Sequence, residues 1–229
     1  MPEVSINGIK HIAFIMDGNG RWAKKRLMPR EYGHKFGAEK FKEIVRYCKK
    51  IGIKAVTVYA FSTENWKRPK REVDMLIALF ADYIKQAERD NEGSHIIFLG
   101  DKSAFGEKTK NEMEELERST EHNDCTLCVA MNYGGHAEIV DAVNKLIKAG
   151  KTEITEEDIT NTICSGVVPP PDMIVRTGGE LRLSNFLLWQ SSYSELFFTD
   201  TLWPDFGRAE LDAALQWYQT RERRFGGLK

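Results

Sequence analysis

The sequence has 229 residues, of which 41% are hydrophobic and 29% are charged. This length fits one domain, because a single hydrophobic core commonly extends to roughly 250 residues. Lys and Arg number 33 and Asp and Glu 34, so the chain lacks the cationic excess that gives general nucleic-acid binders most of their affinity. No stretch reaches the ~18 apolar residues of a membrane span and no apolar signal core begins the chain. We therefore expect a cytoplasmic protein that does not bind nucleic acids.

The cysteines are too few to form a disulfide scaffold in a chain of this length. Cys125 and Cys128 form a C-x-x-C pair, but the pair lies in an apolar run, and no second Cys or His pair stands at zinc spacing. Buried thiols are therefore favoured over metal or redox chemistry for all four cysteines, Cys48, Cys125, Cys128 and Cys164.

Short apolar runs alternate with amphipathic stretches along the whole chain. Strands are predicted at about 9–16, 55–61, 96–99, 126–131, 173–175 and 186–189. Helices are predicted at about 41–51, 72–90, 107–122, 136–149, 155–164 and 208–224. This alternation predicts an α/β fold in one domain, with a central, mostly parallel sheet of about six strands flanked by helices. Ligands of such sheets bind beyond the carboxyl ends of the strands.

A first polar cluster, Asp17 to Trp22, directly follows the first predicted strand. Gly18 and Gly20 would let the backbone approach an anion closely, Arg21 adds a cation, and Asp17 offers an oxygen ligand suited to Mg²⁺. An ordinary strand-to-helix turn accounts for the cluster equally well when it is taken alone. The cluster is neither a Gly-Lys-Ser/Thr phosphate loop nor a complete dinucleotide-binding motif.

Two further clusters lie at corresponding places. The segment from Arg30 to His34 opens the next helix, where a helix N-terminus with an Arg and a His could bind a diphosphate. Taken alone, a solvated basic turn is the better interpretation of that segment. The segment from Phe61 to Pro69 follows the second strand with hydroxyls, an amide, an indole and an arginine, a density that favours function over a plain loop.

A fourth cluster follows the strand at 173–175. Arg176 and Arg182 bracket two glycines and could grip a diphosphate through bidentate hydrogen bonds. Beyond the next predicted strand, Glu195 stands in an apolar aromatic run, where a carboxylate is costly to bury unless it is paired or bound to a metal. An exposed Glu at a strand edge is the alternative. We expect these groups and Asp17 to meet at one site, because each follows a strand of the same sheet.

Five segments together carry a family resemblance: 12–22, 59–66, 132–135, 176–186 and 195–206. They resemble the cis-prenyltransferases, in particular the bacterial undecaprenyl diphosphate synthases, in order and over nearly the whole chain. The resemblance implies a Mg²⁺-dependent homodimer that adds isopentenyl diphosphate units in cis to an allylic starter, typically farnesyl diphosphate. The implied product is a long Z-polyprenyl diphosphate such as undecaprenyl diphosphate, the precursor of the lipid carrier for cell-wall glycans, which partitions to the membrane.

The resemblance also implies residue roles. Asp17 would be catalytic and hold Mg²⁺, with Glu195 as a second metal ligand. Asn65 would be catalytic, either as the proton acceptor or as a positioning group while a diphosphate oxygen takes the proton. The substrates would contact Gly18, Asn19, Gly20, Arg21, Trp22, Arg30, His34, Ser62, Thr63, Glu64, Trp66, Arg68, Arg176, Arg182, Leu183 and Ser184. The terminal pair Arg224 and Gly226 would reach into the site of the partner subunit.

An apolar product tunnel is expected along the apolar faces of 39–51 and 72–90, which would also serve as ordinary core. Trans-prenyltransferases are a rejected alternative, because their Asp-Asp-x-x-Asp motif needs an Asp-Asp pair that this sequence lacks. A non-catalytic scaffold subunit of the same fold is disfavoured, because Asp17 and the arginines are retained. His136 stands where many relatives carry Arg, and we assign it no role.

Overall fold

The computed structural model describes residues 6, 8–90 and 93–222. Strands in this part are β1 His11–Ile15, β2 Ala55–Ser62, β3 Ser94–Leu99, β4 Cys125–Tyr133, β5 Met173–Arg176 and β6 Glu195–Phe198. The α-helices are α1 Asn19–Lys25, α2 Arg30–Lys50, α3 Lys70–Asp90, α4 Gly106–Thr120, α5 Gly135–Lys148, α6 Glu156–Thr162 and α7 Arg208–Gln219. The predicted site residues Arg224 and Gly226 lie outside the described residues.

The strands form a single sheet in the order β3-β4-β2-β1-β5-β6, and every pairing is parallel. The predicted α/β class is confirmed, and the sheet is wholly rather than mostly parallel. The chain leaves β1 toward β2 on one side and later returns to β5 on the other, so the strand order reverses at β1. The carboxyl end of β1 is therefore the expected ligand-binding edge of this fold.

Apolar side chains cover both faces of the sheet. On one face the strands pack against α2, α3 and α7, and on the other against the turn at 184–188 and neighbouring segments. On α3, Val73, Phe80, Ile84 and Ala87 of the predicted apolar stripe are buried, which holds the helix against the sheet. Burying each large apolar side chain stabilises the fold by about 1.5–3 kcal/mol.

The predicted strand at 186–189 is wrong. Phe186 and Leu187 are fully buried, but they lie in an irregular turn, and the sixth strand is β6. The turn backbone is left-handed at Leu187, with φ of 44°. A short apolar run reports burial and not conformation, because buried turns and buried strands have the same composition.

The burial of the cysteines and the polarity of the helices can be compared with what the sequence predicted. Cys48, Cys125 and Cys128 are buried as predicted, and Cys164 is partly buried. Burial raises the pKa of Cys128 to about 12, so this thiol is protonated at neutral pH. Within residues 6, 8–90 and 93–222, no helix is both long and apolar enough to cross a bilayer.

Candidate active site

A polar cavity of about 520 Å³ lies at the carboxyl ends of β1, β2 and β5. It therefore occupies the edge where the strand order reverses. Nine of the predicted site residues line it: Asp17, Asn19, His34, Ser62, Glu64, Asn65, Arg68, Arg176 and Ser184. Met16, Tyr59, Leu76 and Asn185 line the same cavity and were not among the predicted residues.

One wall of the cavity is built on the sheet. Arg176 ends β5 with its side chain only 5% exposed, and its guanidinium donates to Asp17 Oδ2 at 3.0 Å and to Ser184 Oγ at 2.7 Å. Asp17 Oδ1 also pairs with Arg21 at 3.1 Å. We call Asp17, Arg176 and Ser184 the sheet wall. Its buried arginine is neutralised and fixed in direction before any ligand is bound.

The turn that carries Ser184 is held in an unusual conformation. Ser184 and Asn185 have φ of 49° and 64°, in the left-handed region that non-glycine residues seldom adopt. Asn185 stabilises the turn, since its side chain accepts from the His136 amide at 2.9 Å and donates to Glu64 at 2.9 Å. His136 thus contributes its backbone amide to this turn.

Two glycines of α2 let this helix approach α1 closely at Asn19. A Cβ on Gly33 would lie 2.0 Å from the carbonyl oxygen of Asn19, and one on Gly37 would lie 2.2 Å from Asn19 Oδ1. The Asn19 side chain donates to the Met16 carbonyl at 3.4 Å, while its Oδ1 is buried and has no hydrogen-bond partner among the described residues. Buried acceptors are nearly always hydrogen-bonded, so this oxygen calls for a partner such as a ligand or an ordered water.

The facing wall is built on helices. Glu72, in the first turn of α3, pairs with Arg30 at 3.1 Å and with Arg68 at 3.0 Å, while His34 Nε2 lies 3.6 Å away. We call Arg30, His34, Arg68 and Glu72 the helix wall, of which His34 and Arg68 line the cavity and Arg30 joins them through Glu72. Sequence reasoning missed Glu72, because Arg68 lies in extended backbone before α3 and no helical spacing links the two residues.

His34 is a neutral member of the helix wall. Burial lowers its pKa from 6.5 to about 4, outweighing the opposing effect of Glu72, and the charges of Arg68 and Arg30 lower it further. The imidazole is therefore uncharged at neutral pH, so the positive charge of this wall comes from its arginines.

Asn65 lies in the short 3₁₀ turn Thr63–Lys67 that follows β2. Its Oδ1 accepts a hydrogen bond from the Ser62 amide at 3.2 Å, which fixes the orientation of the side-chain amide at the cavity. An amide fixed in this way is suited to orienting a ligand.

The remaining predicted residues do not line the cavity. Trp22 is buried and donates to Asp205 at 2.6 Å, and Trp66 donates to Asn132 at 2.8 Å. Arg182 is 61% exposed and pairs with Glu180, while its backbone carbonyl accepts from Arg176. Thr63 faces a separate cavity. The others outside the lining are Gly18, Gly20, Arg21, Arg30, Leu183 and Glu195.

The expectation that Glu195 follows a strand beside Asp17 is wrong. Glu195 begins β6 and is level with Met173 and Ile12, at the amino ends of β5 and β1. Asp17 lies five residues beyond Ile12, about 16 Å along the strands at ~3.3 Å per residue. Glu195 instead pairs with Arg221 at 3.1 Å. The two carboxylates cannot hold one metal ion within a single chain.

The cavity fits a metal ion that arrives with an anionic ligand. Among the described residues, no three His, Cys, Asp or Glu side chains gather into a metal-binding group. Mg²⁺ is commonly held by only one or two carboxylates together with substrate phosphates. Asp17 and Asn19 line the cavity, and Asn19 Oδ1 is buried with no partner in the described part of the chain. Both are oxygen donors of the kind that Mg²⁺ prefers.

A second, apolar cavity adjoins the polar one between α2, α3 and the sheet. It has a volume of about 130 Å³, and its lining includes Phe41, Leu79, Phe80 and Met131. Both cavities contact the same set of side chains: Met16, Asn19, His34, Ala60 and Leu76. The fold and the two adjoining cavities are suited to an α/β enzyme of a class that holds an anionic head group beside an apolar chain.

Comparison with known proteins identifies this class further. The prenyltransferase family model described as undecaprenyl diphosphate synthase matches residues 15–226. An isoprenyl transferase of Fusobacterium nucleatum subsp. nucleatum is 53% identical over 223 residues, 96% of each chain. Lavandulyl diphosphate synthase from Lavandula x intermedia, solved with dimethylallyl diphosphate, superimposes with a TM-score of 0.89 at 34% identity, over 95% of this chain and 98% of that one.

A second solved structure agrees. A probable undecaprenyl diphosphate synthase from Campylobacter jejuni has a TM-score of 0.81 at 31% identity, covering 96% of this chain and 99% of that chain. The chain belongs to the undecaprenyl diphosphate synthase family of prenyltransferases. The family resemblance and the enzyme class predicted from the sequence are confirmed.

Proposed function

We propose that the chain condenses isopentenyl diphosphate in cis onto an allylic diphosphate, such as farnesyl diphosphate, and repeats the step to make undecaprenyl diphosphate. The observation that supports this proposal is that a polar cavity and an apolar one adjoin and share Met16, Asn19 and Leu76 in their linings. The product would serve as the precursor of the lipid carrier for cell-wall glycans. The reaction would take place in the cytoplasm, and the product would pass to the membrane.

The arginines in and around the cavity would offset the repulsion between the two diphosphate substrates. Two diphosphates must lie side by side, and each pair of unit charges about 6 Å apart costs roughly 3 kcal/mol at an effective dielectric constant of about 20. Arg68 and Arg176 line the cavity, while Arg21 and Arg30 pair with the carboxylates of its walls. These four cations offset repulsion in the bound state and stabilise the diphosphate anion that leaves.

Mg²⁺ is the cofactor proposed for the site, with Asp17 as its protein ligand; when bound, it would neutralise charge on the leaving diphosphate. Asn65 would orient the substrates, since its Oδ1 is engaged by the Ser62 amide. A neutral amide is a weak base, so an oxygen of the departing diphosphate is the better acceptor for the proton lost when the new double bond forms.

A homodimer is part of the proposal. Glu195 lies at the opposite end of the sheet from Asp17, so it would share a metal ion with Asp17 only if the two came from different subunits. Roles for Arg182, Leu183, Trp22, Trp66, Arg224 and Gly226 at the substrates are likewise retained as proposals. Chain elongation is expected to slow at product release, because each isoprene unit adds roughly 3–4 kcal/mol of apolar burial.

The test is incorporation of labelled isopentenyl diphosphate into extractable lipid by the purified protein. Farnesyl diphosphate, Mg²⁺ and a trace of detergent are supplied, with EDTA and Asp17→Ala as controls. We expect metal-dependent incorporation that the variant loses, and a product of eleven isoprene units in all. Products that extend the starter by only one or two units would support short-chain synthesis instead. No incorporation with any allylic starter would refute the proposal.

A further inference from the structure

An exposed basic and apolar segment joins α1 to α2. Every residue from Lys24 to Arg30 is exposed, and within this segment Leu27 is 97% and Met28 40% exposed. A leucine almost completely in water forgoes the burial that usually accounts for an apolar side chain. The segment carries four basic residues and no acid.

The backbone at Leu27 makes its exposure more informative. Leu27 has φ of 56°, in the left-handed region that glycine adopts without strain and a bulky side chain does not. Its amide donates to the Lys24 carbonyl at 3.1 Å, so the turn is hydrogen-bonded in this form. Strain that is not offset by packing inside the protein points to a role for the side chain outside it.

Two lysines near Leu27 are left unpaired by the acidic side chains of the described residues. Arg26 pairs with Asp205 at 3.2 Å and Arg30 with Glu72 at 3.1 Å. Over the part of the chain that the structure describes, Lys24 and Lys25 form no ion pair with any carboxylate. The segment therefore presents net positive charge to its surroundings.

The exposed face of α2 extends this surface. Tyr32 and Phe36 stand one turn apart, each 48% exposed, and Lys35 lies between them with its ammonium 5.7 Å from the Tyr32 ring. We call the whole set the basic-apolar patch: Lys24, Lys25, Leu27, Met28, Tyr32, Lys35 and Phe36. Aromatic and aliphatic groups interspersed with lysines are the composition of surfaces that lie in a membrane interface.

The basic-apolar patch adjoins the apolar interior. A surface groove of about 380 Å³ runs between α2 and α3 and is lined by Tyr32, Phe36 and Leu79, among others. Ala38, Leu79 and Tyr83 line both this groove and the inner apolar cavity. A single layer of side chains thus separates the cavity proposed for the product from the patch.

We propose that the basic-apolar patch docks the protein on the surface of an anionic lipid bilayer. Leu27 and Met28 would enter the head-group region, and Lys24, Lys25 and Lys35 would face acidic head groups. The choice of a bilayer over a protein partner rests on charge complementarity and, through the neighbouring cavity, on the proposed function. Docking would bring the groove between α2 and α3 to the phase in which a polyprenyl product dissolves.

The test is co-sedimentation of the full-length protein, without substrates, with vesicles of phosphatidylcholine alone or with added phosphatidylglycerol. We expect binding to the anionic vesicles that weakens as salt is raised. Lys24→Gln/Lys25→Gln should lower the partition coefficient about 25-fold, roughly fivefold for each charge. Leu27→Ser should lower it roughly tenfold through lost apolar insertion.

Matched controls lie elsewhere on the surface. Lys108→Gln/Lys110→Gln removes two charges from α4, and Ile147→Ser removes a 57% exposed apolar side chain from α5. Both should leave binding within twofold of the unaltered protein. Absence of binding to anionic vesicles, or equal losses in patch and control variants, would overturn the proposal.

Turnover in detergent separates this proposal from the proposed function. Leu27→Ser and Lys24→Gln/Lys25→Gln should keep full turnover in detergent while losing vesicle binding. Binding without turnover in the unaltered protein would leave the docking surface standing and remove the proposed function. Turnover without vesicle binding would leave the proposed function standing and remove the docking surface.

Discussion

The two walls of the polar cavity differ in how their arginines are held. In the sheet wall, Arg176 is buried and fixed by Asp17 and Ser184, both on segments joined to the ends of strands. In the helix wall, Arg30 and Arg68 are 59% and 33% exposed and share one carboxylate, that of Glu72. The arginine of the sheet wall is therefore desolvated and held from two segments, whereas the arginines of the helix wall are more exposed and held by a single acid.

Because of this difference, the arginines of the two walls would bind a diphosphate in different ways. Arg176 is already oriented, so an anion gains it without further ordering of the side chain. Arg30 and Arg68 must exchange Glu72 for the anion or share it. We infer that the sheet wall sets the position of the reacting groups and that the helix wall tunes affinity, and the predictions below test this division.

The largest effect is expected at the sheet wall. Asp17→Asn keeps the size of the side chain but removes the charge that neutralises Arg176 and would hold Mg²⁺. We expect turnover to fall roughly 10³-fold, in the range found when a preorganised electrostatic group is lost. Unfolding free energy should also fall by a few kcal/mol, because a buried guanidinium loses its partner.

Arg21→Gln serves as the control for Asp17→Asn, because it removes the more exposed partner of the same carboxylate and leaves Arg176 paired. It should change stability by less than about 1 kcal/mol. Measurements are steady-state kinetics and denaturant unfolding. If Asp17→Asn retained more than a tenth of the turnover, the sheet wall would not be the site of reaction.

A smaller effect is expected at the helix wall. Glu72→Ala leaves Arg30 and Arg68 without their shared anchor, so their side chains must be ordered by the substrate itself. We expect kcat/KM to fall roughly 10- to 100-fold, with much of the loss in KM. Glu31→Ala is the control, since it pairs with Arg71 on the same two helices outside the cavity. A purely kcat defect would contradict an affinity role.

His34 gives the helix wall a dependence on pH. Its folded-state pKa of about 4 lies below the ordinary 6.5, so the unfolded chain binds more protons between these values. Stability should therefore fall as the pH falls from 6.5 toward 4, by about 2 kcal/mol between about pH 7.5 and about pH 5. His34→Gln should remove this part of the dependence in denaturant unfolding. Some would remain, because burial lowers the pKa of His11 as well. An unchanged slope would show that His34 protonates freely in the fold.

The sequence predicted the sheet wall better than the helix wall. Periodicity located five of the six strands, and residues that follow strands of one parallel sheet must meet at one edge, as Asp17 and Arg176 do. Periodicity misplaced β6, because buried apolar turns such as that of Phe186 resemble strands. Glu195 was consequently assigned to the wrong end of the sheet.

The helix wall depended on information that spacing along the chain does not contain. Glu72 reaches Arg30 across two helices, and the crossing of α2 over α3 is set by packing. The burial of a single polar side chain such as His34 cannot be read from sequence patterns. Its neutral state therefore follows only from its surroundings in the fold. Local motifs give residue types, whereas pairing and protonation come from the tertiary structure.

The apolar cavity meets the helix wall at His34 and none of the sheet wall, so it can be altered separately from the reacting groups. Ala38 lies on α2, where the inner cavity and the outer groove share a lining. The cavity of about 130 Å³ is smaller than the ~300 Å³ of ordinary ligand pockets, so α2 and α3 must separate as the chain grows. Ala38→Phe fills that path and should shift the product distribution down by a few isoprene units. Ala38→Ser keeps the volume nearly unchanged and should leave the product distribution as it is.

Because neither wall is altered, the first condensation should proceed within about threefold of its normal rate. Product lengths are measured by chain-resolved chromatography, and the rate of the first condensation is measured beside them. Shorter products with an unchanged first step would place elongation between α2 and α3. A slowed first step would place residue 38 in the reaction itself.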